Sequence, residues 1–480
     1  MNTFVKTVLM VCFASALTFT SASGSSAAPE KTLTFAAAWN TVQVENDALH
    51  ASMAEVEQAE HKQDAAKSLY LPEIDFSANY IYLDDKVELS PDDVLDSMEA
   101  GDQVKAIIDA LAQGAGISPG QLNSGLTSTI AGRDRVTSAL NATWPIYTGG
   151  RITAAQNIAA GQLHEAKYNL KLQLIDQFEN LVHYYFGTVL AQQVYETRKR
   201  VEAGLKVHRD HAILLEKQGQ IARVERLQAE ASFDKAVVER KKAGRDLDIA
   251  RVALSRMMKS PELISPTDTL FVSEQLPSID TFLAKTINTY PGLGVLDSKK
   301  EQVAGVVDIE EGKYLPTVAL FGSYSLYEEN DLLSELVPDW FMGVGVTFQL
   351  LDRSGRAGQL SAAKSTMRRL DHLELQAKSD LSVLVEQTYR HAEQSLEEYH
   401  GLGSSVKLAE EMVNLRGKAF TQGLSTSLDV VDAEMYLAGV KTQRAVAVYN
   451  YIISLGKILA VSSDQERFFI YQNSNGIEGI

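Results

Sequence analysis

Tyr70-Leu71-Pro72-Glu73-Ile74-Asp75-Phe76-Ser77-Ala78-Asn79-Tyr80-Ile81-Tyr82 and Tyr314-Leu315-Pro316-Thr317-Val318-Ala319-Leu320-Phe321-Gly322-Ser323-Tyr324-Ser325-Leu326 are the two stretches on which the fold turns. Each opens on Tyr-Leu-Pro, and two residues past the proline an alternation begins: Ile74, Phe76, Ala78, Tyr80, Tyr82 in one, Val318, Leu320, Gly322, Tyr324, Leu326 in the other. A period of two predicts a strand with one apolar face. A second alternating segment follows each: Val136, Ser138, Leu140, Ala142, Trp144, Ile146, and Trp340, Met342, Val344, Val346, Phe348, Leu350. Aromatics near the strand ends suit a membrane face, with Phe76, Tyr80, Trp144, Val318, Leu320, Trp340 and Val344 expected to meet lipid. The same pattern also suits a half-buried hairpin of a water-soluble domain.

Working outward, each strand pair leads through Gly150-Arg151 or Gly355-Arg356 into a stretch without proline, Arg151 to Gln218 and Arg356 to Gln422, whose apolar residues recur every three or four positions. Such helices run on the order of 100 Å at 1.5 Å per residue, which implies a coiled coil or tube. Each ends at a Gln-Gly pair, Gln218-Gly219 and Gln422-Gly423, where glycine can reverse the chain. Shorter helices return over about Ile221 to Met258 and Ser427 to Val461, and others precede the strands, roughly Thr32 to Leu69 and Ser278 to Lys313. The connection with Pro261, Pro266 and Pro277 is expected as a belt around the tube's middle.

The chain therefore reads as a duplication: a first repeat at 29–265 and a second at 266–480. The repeats differ in one place. Pro72 to Trp144 spans 72 positions and Pro316 to Phe348 spans 32, so the first hairpin carries about 40 extra residues, the acid-, Gly- and Ser-rich segment 84–132. With strands in a membrane, that insertion is expected as an extracellular loop.

The N-terminus sets the compartment. Lys6, the apolar run Val8 to Phe19 and the small polar stretch Ser21 to Ala28 form a signal peptide, residues 1–28, in composition and order. The run is shorter than the roughly 20 residues of a spanning helix. The single cysteine, Cys12, lies inside it behind Val11, which does not suit a lipoprotein cleavage site, so the mature chain is expected to hold no thiol. Past the signal no run approaches 18 apolar residues, and membrane entry would have to be as a closed barrel. A net charge of -17 argues against nucleic acid as a partner and permits a lining that favours cations. Four strands per chain are too few to close a barrel, whereas three copies supply twelve.

The stretch Phe420-Thr-Gln-Gly-Leu-Ser-Thr-Ser-Leu-Asp-Val-Val-Asp-Ala433, its diverged copy Glu216-Lys-Gln-Gly-Gln-Ile-Ala-Arg-Val-Glu225 and the duplicated order of elements resemble the TolC family of outer-membrane efflux proteins. The resemblance implies a mainly α chain with a small β part: a homotrimeric α-helical barrel of long coiled-coil hairpins continuing into a 12-stranded transmembrane β-barrel. It implies an outer-membrane exit duct, its tunnel in the periplasm, that receives small molecules, metal ions or proteins from an inner-membrane transporter held by a periplasmic adaptor, as in tripartite efflux or type I secretion. It further implies that Asp429 and Asp432, six and nine positions past the tip glycine, narrow the periplasmic entrance, with Glu225 at the equivalent position of the first copy. Adaptor docking falls on Gln218, Gly219, Gln220, Gln422, Gly423 and Leu424. Where the family latches its closed state with Tyr and Arg, this chain has Phe420 and Ser425, which leaves Arg223 against Asp429 of a neighbouring helix as a substitute.

No cofactor, metal site or catalytic residue is expected. Ser361 and Lys364 have an acyl-enzyme spacing but lack its Lys-Thr-Gly partner. His208 and His211 could share a metal at three positions apart, yet read as a solvated helix face. The remaining alternative is a periplasm-spanning coiled coil or adhesin without a conducting lumen, which has no use for two membrane hairpins.

Overall fold

The computed structural model describes residues 30–274, 276–328, 338–351 and 353–474; the signal segment with Cys12 lies outside them. Strand β1 (Glu30–Leu33) leads into α1 (Phe35–Glu45) and α2 (Asp47–Lys67), then β2 (Glu73–Tyr82). The insertion contains β3 (Val87–Leu89), α3 (Pro91–Asp96), α4 (Gly101–Gly114), α5 (Pro119–Leu126) and β4 (Ser128–Ala131). Strand β5 (Asp134–Tyr147) then feeds the long α6 (Arg151–Lys217), which is followed by α7 (Arg223–Met257) and β6 (Leu263–Pro266). The second half runs α8 (Ile279–Thr289), α9 (Pro291–Gly312), β7 (Thr317–Glu328), β8 (Trp340–Thr347), the long α10 (Arg356–Thr421), α11 (Ser427–Val461) and α12 (Gln465–Ser474).

Helices α6 and α10 have 67 and 66 residues. Both start after a left-handed glycine, Gly150 at φ +80° and Gly355 at φ +67°, and neither contains proline to break its hydrogen-bond ladder. Helix α6 packs against α7, α9, α11 and α2, and α10 against α11, α9 and α8. The short helices preceding the strands are broken where the periodicity alone predicts continuity. Asn46 interrupts the first, its side-chain oxygen accepting from the Ala48 and Leu49 amides to cap α2. Pro291, tolerated only in a helix's first turn, separates α8 from α9.

At mid-length α6 is buried on several sides. Phe178, Leu181, Tyr185 and Phe186 meet Phe35, Phe271, Tyr451, Leu455 and Phe468, so α1, the β6 connection and the ends of α11 and α12 close over one core. Strand β1 pairs in parallel with β6, and Asp268 ties the layer by accepting from the Phe35 amide (2.6 Å) and the Tyr185 hydroxyl (2.7 Å). Burial and that carboxylate push the Tyr185 hydroxyl up from its ordinary pKa. Helix α11 is the one helix among the described residues long and apolar enough to cross a membrane, though its sequence holds no unbroken run of 18 apolar residues, and most of its apolar stretch is buried inside the chain.

Strands β2, β5, β7 and β8 form one antiparallel sheet in that order, with β2 and β8 at its edges. Pro145 sits at a bulge in the β5–β7 pairing, where a missing amide costs no ladder bond. The insertion, expected as an acid-rich loop, instead carries three short helices on a stalk made by the β3–β4 pair. Ser90 with Asp93, and Ser118 with Gln121, form reciprocal capping boxes, each with proline at the first helical position, which start α3 and α5.

Candidate functional site

The two ends of the molecule hold the residues of interest. At the sheet end, register sorts side chains by face. Phe76 pairs with Leu140, Tyr80 with Val136, Trp144 with Leu320, Leu320 with Val344, Val318 with Val346 and Tyr324 with Trp340, so these lie on one face of a continuous sheet. Phe76, Tyr80, Trp340 and Val344 are each at least 60% exposed, a large uncovered apolar surface for one chain. The opposite face is mainly polar, with Glu73, Asp75, Ser77, Asn79, Thr137, Asn141, Thr143 and Ser323 beside Ile81, Phe321 and Phe341, and side-chain bonds cross it: Ser323 Oγ donates to Asn141 Oδ1 (2.9 Å) and Asn141 Nδ2 to Ser77 Oγ (3.1 Å). One apolar and one polar face is what a wall between lipid and water requires.

Clips fix the corner where sheet becomes helix. Arg151 donates to the Thr148 carbonyl and the Thr317 hydroxyl, joining the two halves. Arg356 donates to the Lys313 and Gln349 carbonyls while its guanidinium lies 4.9 Å from the Tyr314 ring centre. The indole of Trp144 donates to the Tyr70 carbonyl at 2.8 Å.

At the other end, both long helices finish in the same way. The Gly219 amide donates to the Glu216 carbonyl and that of Gln220 to Leu215; the Gly423 amide donates to Phe420 and that of Leu424 to Ala419. These paired bonds define a Schellman turn, which needs a left-handed residue, and the glycines supply it at φ +75° and +73°. Gln218, Gln220, Gln422 and Leu424 flank those turns and are exposed.

The two tips pack on each other: Phe420 and Val430 of the second meet Ala212 and Ala229 of the first. His208 is 5% exposed, with its ring 4.4 Å from that of Phe420 and its Nε2 2.7 Å from Ser427 Oγ. Burial, aided by nearby His211, pushes the His208 imidazole down to about 4, while Glu225 acts in the opposite sense. His208 is therefore part of the contact between the hairpins and not the solvated face its spacing suggested. Its place on the buried stripe Val201, Leu205, His208, Ala212 was the signal in the sequence.

Asp429 lies at the third position of α11, where Oδ2 accepts from the Thr426 amide (2.9 Å), the Thr426 hydroxyl (2.8 Å) and the Ser425 hydroxyl (3.1 Å). Those bonds, the Thr426 amide foremost, hold its carboxyl below the usual range. Its cation within the chain is Arg416, at 3.4 Å, rather than Arg223, which is exposed on the other hairpin. Asp432 is exposed one turn further on. Glu225, expected beside the aspartates, differs: its Oε2 accepts from the Ser427 amide at 2.8 Å, so it caps the first turn of the other hairpin's α11. The described residues contain no grouping of three or more His, Cys, Asp or Glu that could hold a metal.

The chain thus joins a four-stranded antiparallel sheet with one apolar face to two long helical hairpins. Residues 39–258 match the family model described as outer membrane efflux protein. No curated protein matches the chain by sequence. Among solved structures, the fold is shared with the outer membrane channel CmeC of Campylobacter jejuni (TM-score 0.66, 15% identity, covering 90% of this chain and 86% of that one). It is likewise shared with the outer membrane protein VceC of Vibrio cholerae (0.67, 15%, 89% and 96%) and the open-state MtrE channel of Neisseria gonorrhoeae (0.68, 17%, 90% and 89%). The family match covers a little under half of the chain, and at 15–17% identity the solved structures share its fold.

Proposed function

We propose that three copies of this chain close into a twelve-stranded barrel and a helical tube, forming the passive exit duct of a tripartite efflux or type I secretion system. The observation that carries this reading is the sheet: apolar on one face, polar on the other, with both edges open. An open edge in lipid costs several kcal/mol for each unpaired backbone group, so the sheet is tenable there only when cyclic repetition joins β8 of one copy to β2 of the next. Two copies would give eight strands, a barrel filled by its own side chains; three leave a lumen. A scaffold or adhesin without a lumen accounts for the long helices and leaves the two-faced sheet unexplained.

In this reading the repeats 29–265 and 266–480 are equivalent staves, and the chain has no reaction to catalyse. The turns at Gly219 and Gly423, with Gln218, Gln220, Gln422 and Leu424, meet the periplasmic adaptor, which holds the inner-membrane transporter that supplies small molecules, metal ions or proteins. Asp429 and Asp432 narrow the entrance, and Glu225 holds the two hairpins of one copy together behind them. Protein extracted from the outer membrane is expected to cross-link to trimers and to conduct in planar bilayers. Asp429→Ala with Asp432→Ala is expected to raise single-channel conductance and weaken block by divalent cations. A water-soluble monomer that conducts nothing would overturn the reading; a conducting trimer whose block survives the double substitution would overturn the gate alone.

A further inference from the structure

The two acids expected at the entrance do not fix their own position. Asp429 and Asp432 ride on the first two turns of α11, and α11 is held at its first residue by the other hairpin. Glu225 of α7 accepts from the Ser427 amide at 2.8 Å, His208 of α6 lies 2.7 Å from the Ser427 hydroxyl, and the His208 ring meets that of Phe420 at 4.4 Å. Ser427 is wholly buried, and Phe420 and His208 are nearly so. Whatever parts the tips moves the start of α11 and carries both aspartates with it.

A neutral imidazole fits this contact and an imidazolium does not, because a ring closed in by Phe420 and a buried serine has no water to solvate its charge. Burial pushes the ring down to about 4, whereas a ring freed to water returns to about 6.5. Separated tips therefore bind the proton first, and acid favours separation through the window between those values. By linkage, the equilibrium of one chain moves about thirtyfold toward separation between pH 8 and pH 5. The charges around the ring act otherwise. His211, exposed one turn along α6, helps keep His208 neutral, and Glu225 opposes it. On α7, Arg226 is paired with Glu216 and Glu230. Arg416 of α10 pairs with Asp429 of α11, whose carboxyl is held below the usual range and so stays charged over most of the window, and Asp432 is exposed. Glu434 of α11 lies over the bare backbone of α6 at Gly204, and burial raises its carboxyl, so its protonation favours the joined tips.

We propose that His208, Ser427 and Glu225 form a proton-released latch: they hold the second tip, with Asp429 and Asp432, against the first, and protonation of His208 frees it and widens the periplasmic entrance. The latch rests on the exit-duct reading and adds to it a condition for opening. It stands in place of the Tyr and Arg latch that Phe420 and Ser425 leave out of this chain. His208 is a positioning residue, which touches no cargo and acts through the start of α11. A histidine that two states bury differently biases them by its charge alone.

The test uses trimers of the full chain in planar bilayers between about pH 8 and pH 4.5. The ratio of open to closed dwell times is expected to rise about tenfold or more by pH 5. His208→Gln, which can still bond Ser427 and takes up no proton, is expected to hold that rise below about twofold. His211→Gln is expected to leave it in place, as is Asp429→Ala with Asp432→Ala on its raised conductance, which separates the latch from titration of the gate acids. In the unsubstituted trimer the Ser427 amide is expected to lose protection from exchange over the same range, after allowance for the intrinsic rate, while amides around Tyr451 keep theirs. Unchanged Ser427 protection, or an acid response that survives His208→Gln, overturns the latch while the duct stands. A trimer that conducts no ions at any pH overturns the duct and the latch with it.

Discussion

The two tip turns share a backbone and differ in how the helix after them is started. Gly219 and Gly423 close the same Schellman motif at nearly the same φ, and α7 and α11 both carry an acid at their third residue. In α11 the cap is Thr426, whose hydroxyl accepts from the Asp429 amide while Asp429 folds back onto the Thr426 amide, a closed capping box. In α7 the cap is Ala222, which has no side chain to offer, so Glu225 has no box to close and reaches instead to the Ser427 amide. An acid at the same helix position thus acts within its own hairpin at one tip and between hairpins at the other, and the caps beside them differ by the hydroxyl that Thr426 has and Ala222 lacks.

If the first tip holds the second chiefly by packing, removing Phe420 has the largest effect. Its side chain is 2% exposed and lies between His208 and the alanines of the first hairpin. Phe420→Ala is expected to cost about 3–5 kcal/mol in local stability. Hydrogen exchange should show both tips opening together while the core around Phe178 keeps its protection; a change confined to α10 would mean that the hairpins do not depend on each other.

Acid should act on the same contact. The His208 imidazole is pushed down to about 4 from an ordinary 6.5, so the folded tip holds it neutral. The unfolded tip takes up the proton first. The stabilisation is complete above about pH 6.5, falls as pH drops through the window between 6.5 and 4, and is gone below it. The shift corresponds to at most about 3 kcal/mol. His208→Gln should flatten that pH dependence in tip exchange rates; an unchanged slope would place its origin elsewhere. Glu225→Ala comes next, at about 1.5–3 kcal/mol, because the Ser427 amide loses a charged acceptor in a site where Ser427 itself is wholly buried. It should loosen the junction between hairpins and leave α7 itself in place, as measured by exchange at the start of each helix.

What was legible in the sequence follows from the range of the interaction responsible. Alternation at Ile74 to Tyr82 and Val318 to Leu326, and three-four spacing without proline across 151–217 and 356–421, are local patterns, and the strands and long helices stand where they put them. The breaks at Asn46 and Pro291 were just as local and were overridden by the longer apolar period around them. The capping boxes at Ser90 and Ser118 were hidden by the acid- and glycine-rich composition of the insertion. The burial of His208 and the reach of Glu225 depend on residues 219 and 202 positions away, and no spacing rule connects Glu225 to Ser427. At the tip the sequence shows which acids are present; whether such an acid closes its own turn or clamps another helix depends on how two hairpins lie together.

The smallest effect gives the sharpest form of the comparison. Ala222→Ser would give α7 the cap that α11 already has, typically worth about 1 kcal/mol to a helix start. Glu225 would then have a box to close, three residues on from the new hydroxyl. Its oxygens cannot serve the amide of its own helix cap and the Ser427 amide with the same geometry, so the gain at α7 is drawn from the clamp on α11. The net change in tip stability is expected to be within about 0.5 kcal/mol of zero, as for ordinary surface substitutions. The distribution should nevertheless shift, with slower amide exchange at the start of α7 and faster exchange at Ser427. If both sites become more protected, Glu225 serves the two hairpins independently, and the difference between the tips does not originate at the cap.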